Sequence, residues 1–317
     1  MSARLAGLLG SYLSLRRSLG YDLGKTERHV GQFIAWLDQA RPGQEGFTCA
    51  DAVEWACQPG GQPLWHAARL GAVRMWAAYA HAHDPAVPAV PARLLPAGRR
   101  RPAPYVYSGQ DVEAVMGALA ARARDARMWT TRWRNTTAGA LTGLLACTGA
   151  RVGEAIGLDR ADVDLDEARI RIASKKTGRE RLALLHPTAV ARLATHAADP
   201  ARPAFAGPGP EPFLVSSVGK RVIYNDFHFA FHRAVLDAGL EPKGRARPTV
   251  HALRHTYAVN QIAAAYRDGA DPARRLTLLA TWLGHVSPSS TYWYLTATPE
   301  LLAAAGRLLE DSAGAAS

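Results

Sequence analysis

A stretch dense in proline, residues 84–104, constrains the fold of this chain more than any other feature. Its six prolines are Pro85, Pro88, Pro91, Pro96, Pro102 and Pro104. Because proline lacks an amide hydrogen and its ring clashes with the preceding helical turn, prolines at this density prevent a regular helix or strand. We therefore expect two folded parts, one domain over residues 1–95 and another over residues 105–317, joined by a semi-extended linker over residues 96–104.

The charge of the chain indicates a polyanionic partner. Its 317 residues carry a formal net charge of +11 at pH 7, while 48% hydrophobic and 21% charged residues are normal for a globular protein. Nucleic acid is the simplest partner for such an excess of basic groups. In the linker, Arg99, Arg100 and Arg101 are expected to lie against DNA phosphates, and a solvated basic loop is the alternative for each of them.

Cysteine usage and hydropathy bound the cellular context. The three cysteines, Cys49, Cys57 and Cys147, are an odd number without a CxxC pair, which argues against a disulfide framework or a thiolate zinc site. We expect reduced, mostly buried thiols. No apolar run approaches the roughly 20 residues of a membrane span. The sequence thus predicts a cytoplasmic, nucleoid-associated protein without a membrane partner.

Apolar residues recur at helical spacing through the first domain and predict a small bundle of four helices. Thr48 followed by Asp51 marks the start of the third helix, since a threonine side chain caps free backbone amides. The fourth helix is expected from Pro63 to His83. Its inward side chains are expected to be Trp65, Leu70, Val73, Trp76 and Tyr79.

The second domain shows helical patterns around a short alternating region. A helix starting at Ser108 is expected to continue into the arginine-rich segment that ends at Arg134, and another to cover residues 137–148 and end at Gly149. Alternating apolar residues in segments 162–165, 168–172 and 181–185 predict a small antiparallel sheet with a turn at 175–178. A short strand is expected at 213–216, and helices at 223–238, 251–266 and 276–282. The fold class is therefore α+β.

The C-terminal segment carries a histidine and a tyrosine nine positions apart, His285 and Tyr294. At about 100° per residue they would lie on opposite faces of one unbroken helix. The two side chains can share a site only if the chain bends between them. Pro288 supplies such a bend, because it lacks an amide hydrogen and disfavours helix at the residue before it.

Four blocks occur along the chain in a fixed order. They are Thr-Gly-Ala-Arg-Val-Gly-Glu at 148–154, Lys-Thr-Gly-Arg-Glu-Arg at 176–181, His-Ala-Leu-Arg-His at 251–255, and Leu-Gly-His at 283–285 followed by Tyr294. In this order they resemble the tyrosine recombinase (phage integrase-type) family, over most of the chain. The resemblance implies an all-helical core-binding domain that clamps DNA, followed by a mixed helical catalytic domain with a small antiparallel sheet.

The chemistry of phosphodiester exchange gives these blocks roles. Charge that builds on the non-bridging phosphate oxygens suits planar guanidinium groups, and the resemblance assigns this task to Arg151 and Arg254. It assigns protonation of the departing 5′-oxygen to Lys176. Its neighbour Lys175 is the rival for that role and a candidate DNA contact.

The resemblance places Tyr294 as the nucleophile, with Tyr292 as the alternative. His251 and His285 are the candidates for accepting the tyrosine proton and for donating a hydrogen bond to the phosphate, and the sequence leaves open which does which. A zinc pair of His251 and His255 is disfavoured, because Ala252 stands where a metalloprotease requires glutamate. No metal or cofactor is expected.

Two flanking residues also bear on the resemblance. Glu154 is expected to anchor the loop that carries Arg151. Tyr257 departs from the family pattern, which usually has phenylalanine or another apolar residue at this position. Everything essential to the family pattern is otherwise present.

The implied reaction is site-specific recombination of double-stranded DNA through a 3′-phosphotyrosyl link, without ATP. The resemblance implies integration, excision or transposition of a mobile element by a tetramer on DNA, aided by DNA-bending or directionality factors. The apolar stripe from Leu301 to Leu309 is expected to dock on a neighbouring subunit or to cover its own domain. A strand relaxer of the topoisomerase IB type and a non-catalytic DNA-binding regulator are the alternatives.

Overall fold

The computed structural model describes residues 2–96, 103–173, 178 and 180–284. By their internal contacts the residues group into two compact units, 1–101 and 102–317. Among the described residues, no helix combines the length and apolar character that crossing a membrane requires.

Within residues 2–96 the first unit contains four helices, as the apolar spacing predicted. They are α1 (Ser2–Ser18), α2 (Gly24–Ala40), α3 (Cys49–Ala56) and α4 (Pro63–His83). The predicted start of α3 is confirmed by a reciprocal cap, in which the Thr48 hydroxyl accepts from the Asp51 amide and the Asp51 carboxylate accepts from the Thr48 amide. The core of the unit is aromatic, with Phe33 in contact with Phe47 and Trp55.

One expectation about the fourth helix was wrong. Trp65 is 42% exposed, whereas Leu70, Val73 and Trp76 lie in the core as predicted and the partly buried Tyr79 packs against the same core. Trp65 stays outside because its ring packs on the guanidinium of Arg69, one helical turn later. Helical periodicity places a residue on a face but does not reveal an aromatic ring that covers a buried cation.

The first part of the proline-dense stretch belongs to the helical unit. Val87 and Val90 are buried in the same core cluster as the four helices. The stretch therefore packs against the bundle for several residues beyond the end of α4.

The second unit surrounds a small sheet with helices. Its elements are α5 (Gly109–Arg124), α6 (Trp129–Thr148), α7 (Val152–Gly157), β1 (Val163–Asp164), β2 (Arg169–Ala173), β3 (Glu180–Leu184), α8 (Pro187–Ala197), α9 (Tyr224–Asp237), α10 (Val250–Arg267) and α11 (Pro272–Leu283). The strands pair antiparallel in the order β1-β2-β3, which confirms the predicted sheet. Ile170 and Ile172 face the core while Arg169 and Arg171 face solvent, as strand alternation requires.

The arginine-rich segment is not one long helix. The helix α5 ends at Arg124, and α6 begins at Trp129, eight positions earlier than expected. The early start has a physical cause, since the Trp133 indole is buried and donates to the Val215 carbonyl oxygen at 2.8 Å. Arg122 pairs with Asp237 on α9.

The hydrogen bond from Trp133 to Val215 also explains why the strand expected at residues 213–216 does not form. Residues 213–215 are buried, but Val215 makes only an isolated bridge to Arg221. Its carbonyl oxygen is already the acceptor for Trp133. The helix α8 was missed from the sequence, although Pro187 at its first position is a common helix start.

The cysteines are free thiols, and their burial was only partly predicted. Cys57 is exposed, whereas Cys49 and Cys147 are partly covered. Burial raises the pKa of Cys147 to about 12, so this thiol stays protonated at neutral pH.

Candidate functional site

The loop that carries Arg151 begins where α6 ends at Gly149. This glycine has a left-handed backbone with φ of 64°, and its amide donates to the Leu145 carbonyl oxygen at 3.0 Å. A Cβ atom at this position would lie 2.6 Å from Cδ1 of Tyr257. Glycine is thus required twice, by the turn and by the side chain of α10 packed on it. Tyr257, the departure from the family pattern, serves here as a packing residue.

The end of α11 is held against the same loop. The Trp282 indole donates to the Thr148 carbonyl oxygen at 2.9 Å, and its ring stacks with Tyr257 at a centroid distance of 6.4 Å. The last carbonyls of α6 therefore meet the last turn of α11.

Arg254 joins three of the four blocks. Its side chain is 3% exposed, and Nη1 donates to the Gly149 carbonyl oxygen while Nη2 donates to the Leu283 carbonyl oxygen, each at 2.7 Å. Bonds from two different nitrogens fix the plane of the guanidinium group. The side chain thereby connects α10 to the Arg151 loop and to the end of α11.

Glu154 anchors the arginine loop, as expected from its place in the sequence. Its carboxylate accepts from the backbone amide of Arg151 at 3.0 Å, from Arg151 Nη1 at 2.8 Å and from Arg181 Nη2 at 2.6 Å. Burial alone would raise the pKa of Glu154, but the hydrogen bonds from Arg181 and Arg151 outweigh it and lower the pKa below its usual value. Glu154 is therefore a carboxylate at neutral pH.

The two candidate clamp arginines differ in exposure. The Arg151 side chain is 43% exposed although its partner Glu154 is nearly buried. His251 is also exposed and lies three residues before Arg254, one turn earlier on α10. Its ring meets His255 edge to face at a centroid distance of 4.5 Å.

The structure thus brings Arg151, His251 and Arg254 onto connected elements. The other predicted site residues lie outside the described residues, and their positions stay predictions. They are Arg99, Arg100, Arg101, Lys175, Lys176, His285, Tyr292 and Tyr294. Among the described residues, no group of three or more histidine, cysteine or acidic side chains could hold a metal ion.

Sequence reasoning missed Arg181 as a member of this site. It lies on β3 opposite Ile172, and residues opposite each other in an antiparallel pair share a face, so Arg181 occupies an inward position. An arginine in line with buried strand residues signals a buried acceptor. The alternation of β3 contained that signal.

Comparisons with known protein sequences identify related proteins. The profile described as Phage integrase family matches residues 110–300. A Sinorhizobium fredii protein described as an integrase/recombinase, y4rB, is 36% identical over 302 residues, covering 94% of this chain and 95% of that protein. Tyrosine recombinase XerD of Mycobacterium tuberculosis is 32% identical over 169 residues, covering 50% of this chain and 47% of XerD.

Solved structures show the same fold at low sequence identity. XerH site-specific recombinase bound to its palindromic difH substrate has a TM-score of 0.65 and 16% identity, covering 89% of this chain and 78% of XerH. A lambda integrase dimer on a core site has a TM-score of 0.61 and 17% identity, covering 90% of this chain and 96% of that chain. The fold class predicted from the sequence is confirmed.

Proposed function

Because the chain belongs to the phage integrase family and has the tyrosine recombinase fold, we propose that it cuts and rejoins double-stranded DNA through a 3′-phosphotyrosyl intermediate. The observation that carries the proposal is Arg254, whose hydrogen bonds to the Gly149 and Leu283 carbonyl oxygens gather three of the four sequence blocks. A buried guanidinium fixed against the loop that carries the exposed Arg151 is suited to binding a phosphodiester within a DNA strand.

The proposed clamp consists of Arg151 and Arg254. Attack on the phosphorus places extra negative charge on the non-bridging oxygens, and guanidinium donors aimed at those oxygens stabilise that charge more than they stabilise the ground state. The clamp needs no reorganisation during the reaction, since Glu154 and the two backbone carbonyls hold the arginines beforehand.

Tyr294 is the proposed nucleophile. Its phenolic oxygen bonds to the phosphorus as the bond from phosphorus to the 5′-oxygen breaks, and its proton passes to His251 or His285. Lys176 gives a proton to the departing 5′-oxygen. The phosphotyrosyl link keeps the energy of the broken bond, so a 5′-hydroxyl of a partner duplex can reverse the step without metal or ATP.

We propose that four copies act on two duplexes, to integrate, excise or transpose a mobile element, with DNA-bending or directionality factors as further partners. Two proteins of the same fold support this assembly and role. They are a lambda integrase tetramer bound to a Holliday junction and the Tn1549 transposon integrase bound to transposon right end DNA. Most of the affinity should come from phosphate neutralisation, and binding should therefore weaken steeply with salt.

A duplex nicked close to the cleavage site tests the chemistry, because loss of the short 5′-hydroxyl fragment traps the covalent adduct. We expect an adduct with the parent protein in EDTA without ATP, its loss in Tyr294→Phe and its retention in Tyr292→Phe. Absence of an adduct with the parent protein would favour a non-catalytic regulator. Supercoil relaxation without products from paired recombination sites would instead favour a topoisomerase-like enzyme.

A further inference from the structure

We propose that Arg181 is a positioning residue for the DNA clamp, acting on Arg151 through the carboxylate of Glu154. This inference rests on the proposed function and adds a residue to it. Arg181 comes from the hairpin strand β3, whereas Arg151 and Glu154 flank the start of α7.

The carboxylate of Glu154 is shared between the two arginines. Arg181 reaches both of its oxygens, with Nη2 at 2.6 Å from Oε2 and Nη1 at 3.4 Å from Oε1. Arg151 takes Oε1 with Nη1 at 2.8 Å and Oε2 with its backbone amide at 3.0 Å. The orientation of the carboxylate therefore determines where both the backbone and the guanidinium of Arg151 lie.

The exposed fractions of the Arg151 and Arg181 side chains indicate that the two have different roles. The Arg181 side chain is 11% exposed and that of Glu154 is 7% exposed, whereas the Arg151 side chain is 43% exposed. A buried pair holds its geometry better than an exposed pair, because water neither competes for its hydrogen bonds nor screens its charges. Arg181 thus fixes the carboxylate from the inside, and Arg151 presents its guanidinium to the outside.

Arg181 also touches the element that holds Arg254. Its Nη1 lies 3.1 Å from the position that a Cβ of Gly284 would occupy. The preceding carbonyl, that of Leu283, accepts the hydrogen bond from Arg254. Arg181 is consequently in contact with Glu154, which binds Arg151, and with Gly284, which follows the residue that binds Arg254.

Three variants test this role against a merely structural one. Arg181→Gln removes the charge, Arg181→Lys keeps the charge but loses the two-pronged contact, and Arg171→Gln is the control. Arg171 lies on the neighbouring strand β2 and pairs with Asp162, but its side chain is 51% exposed. The readouts are the single-turnover rate of adduct formation on the nicked duplex and the affinity for intact duplex over a range of salt.

We expect Arg181→Gln to slow adduct formation by roughly 10- to 100-fold, the size of effect that a misplacement of about 1 Å produces. Arg181→Lys should fall between this variant and the parent, and Arg171→Gln should match the parent. The dependence of duplex affinity on salt should stay unchanged in both Arg181 variants, since Arg181 contacts Glu154 rather than phosphate.

A substrate with a methylphosphonate at the cleavage site identifies the step that fails. Replacing one non-bridging oxygen by methyl removes the negative charge that Arg151 is proposed to hold. A misplaced Arg151 should then matter little, so the deficit of Arg181→Gln should shrink to within a few-fold of the parent. A fold defect would leave the same deficit on both substrates and would overturn the proposal.

A double-variant cycle tests the route through the carboxylate. If Arg181 acts through Glu154, the variant carrying both Glu154→Gln and Arg181→Gln should be no slower than Glu154→Gln alone. Rate losses that multiply, or a salt slope reduced by about one in Arg181→Gln, would show that Arg181 acts elsewhere. Loss of duplex binding in Arg181→Lys would assign it to stability alone.

The inference and the proposed function fail in different ways. If the parent protein forms the adduct and Arg181→Gln forms it equally fast, the positioning role is wrong and the function stands. If the parent protein and Arg171→Gln both form no adduct, the function is wrong, and Arg181 has no clamp to position.

Discussion

Among the described residues, Arg69 in the helical unit and Arg254 in the second unit are almost completely buried, and the two are held in different ways. In the helical unit Arg69 is 4% exposed, and its guanidinium carbon lies 3.8 Å from the Trp55 ring centroid and 4.3 Å from that of Trp65. In the second unit Arg254 is 3% exposed and bonds to two carbonyl oxygens. Indole rings hold a guanidinium by its faces and tolerate rotation in the plane, whereas carbonyls hold its edge and fix its direction.

The charge of Arg69 is only packed between rings, whereas the charge of Arg254 has a fixed direction. Burial lowers the pKa of Arg69, which shows that its surroundings compensate the charge incompletely. Its Nη2 reaches only the Gln58 amide oxygen, at 3.3 Å. Arg69 thus contributes mainly to the stability of its unit, whereas two hydrogen bonds fix the direction of the Arg254 guanidinium, as its proposed role requires.

The largest effect is expected for Arg254→Lys compared with Arg69→Lys. A lysine at 254 cannot make both carbonyl bonds in one plane, so adduct formation should fall by about a hundredfold or more. A lysine at 69 should cost about 1–2 kcal/mol of unfolding free energy through the lost stacking. Adduct rates and urea unfolding measure the two. A comparable loss of cleavage in Arg69→Lys at full duplex binding would abolish the contrast.

The two units should also respond to acid at different pH. Burial lowers the pKa of His196, which stacks on Trp133, from 6.5 to about 4. The unfolded chain therefore binds the proton first as pH falls from 6.5 to about 4, and the second unit loses on the order of 3 kcal/mol over that window. Urea unfolding at pH 7 and pH 5 should show about 2 kcal/mol of this loss, because pH 5 lies within the window, and His196→Phe should remove it.

In the helical unit the corresponding group is Asp51. Burial opposes its ionisation, but hydrogen bonds from Thr48, Gln44 and Arg41 outweigh burial and lower the pKa of Asp51 below 3.8. Its contribution to stability is complete above pH 3.8 and is lost as pH falls through the lower folded value. Burial also lowers the pKa of His29 in this unit, by less than that of His196, so the helical unit should lose less stability than the second unit between pH 7 and pH 5. Simultaneous acid unfolding of both units, followed by tryptophan fluorescence and circular dichroism, would contradict this order.

A smaller effect is expected at Gly149. Both Gly149 and Gly239 have a positive φ, of 64° and 66°, but only a Cβ at 149 would collide with a neighbour. Gly239→Ala should cost about 1 kcal/mol of backbone strain, and Gly149→Ala about 1–2 kcal/mol more with displacement of Tyr257. Equal unfolding free energies for the two variants would show that α10 moves freely away from the loop.

The smallest effects are expected at two helix starts that are built alike. Thr48 caps α3 in the first unit and Ser108 caps α5 in the second, each with a reciprocal aspartate. Replacing either by alanine should cost about 1 kcal/mol. Neither substitution should change adduct formation once the protein is folded, which the nicked-duplex assay at saturating protein measures.

Local patterns carried most of the fold, and the exceptions have tertiary causes. Capping residues and left-handed glycines marked the ends of several helices because those signals depend on neighbours in sequence. The start of α6 depends on a bond from Trp133 to Val215, which lies far along the chain. No periodicity within residues 125–137 contains that partner, nor does the pattern of 213–216 reveal that its carbonyl is taken.

In the candidate site, too, local sequence patterns were predictive and contacts between distant residues were not. Arg151 and Arg254 were predicted from their blocks, because the proposed chemistry calls for guanidinium groups at a phosphate. The bonds from Arg254 to Gly149 and Leu283 join residues distant in sequence, and spacing alone does not predict such partners. Arg181 stood in a readable position, but only the fold shows that Glu154 is the acceptor.

Two hydrogen bonds hold the last turn of α11. The Trp282 indole donates to the Thr148 carbonyl oxygen, and Arg254 donates to the Leu283 carbonyl oxygen. A force on the chain at Gly284 would act on the hydrogen bond between Leu283 and Arg254, because Leu283 is the preceding residue. Because the donor of that bond is Arg254, a displacement of the backbone at Leu283 would also change the orientation of the guanidinium group.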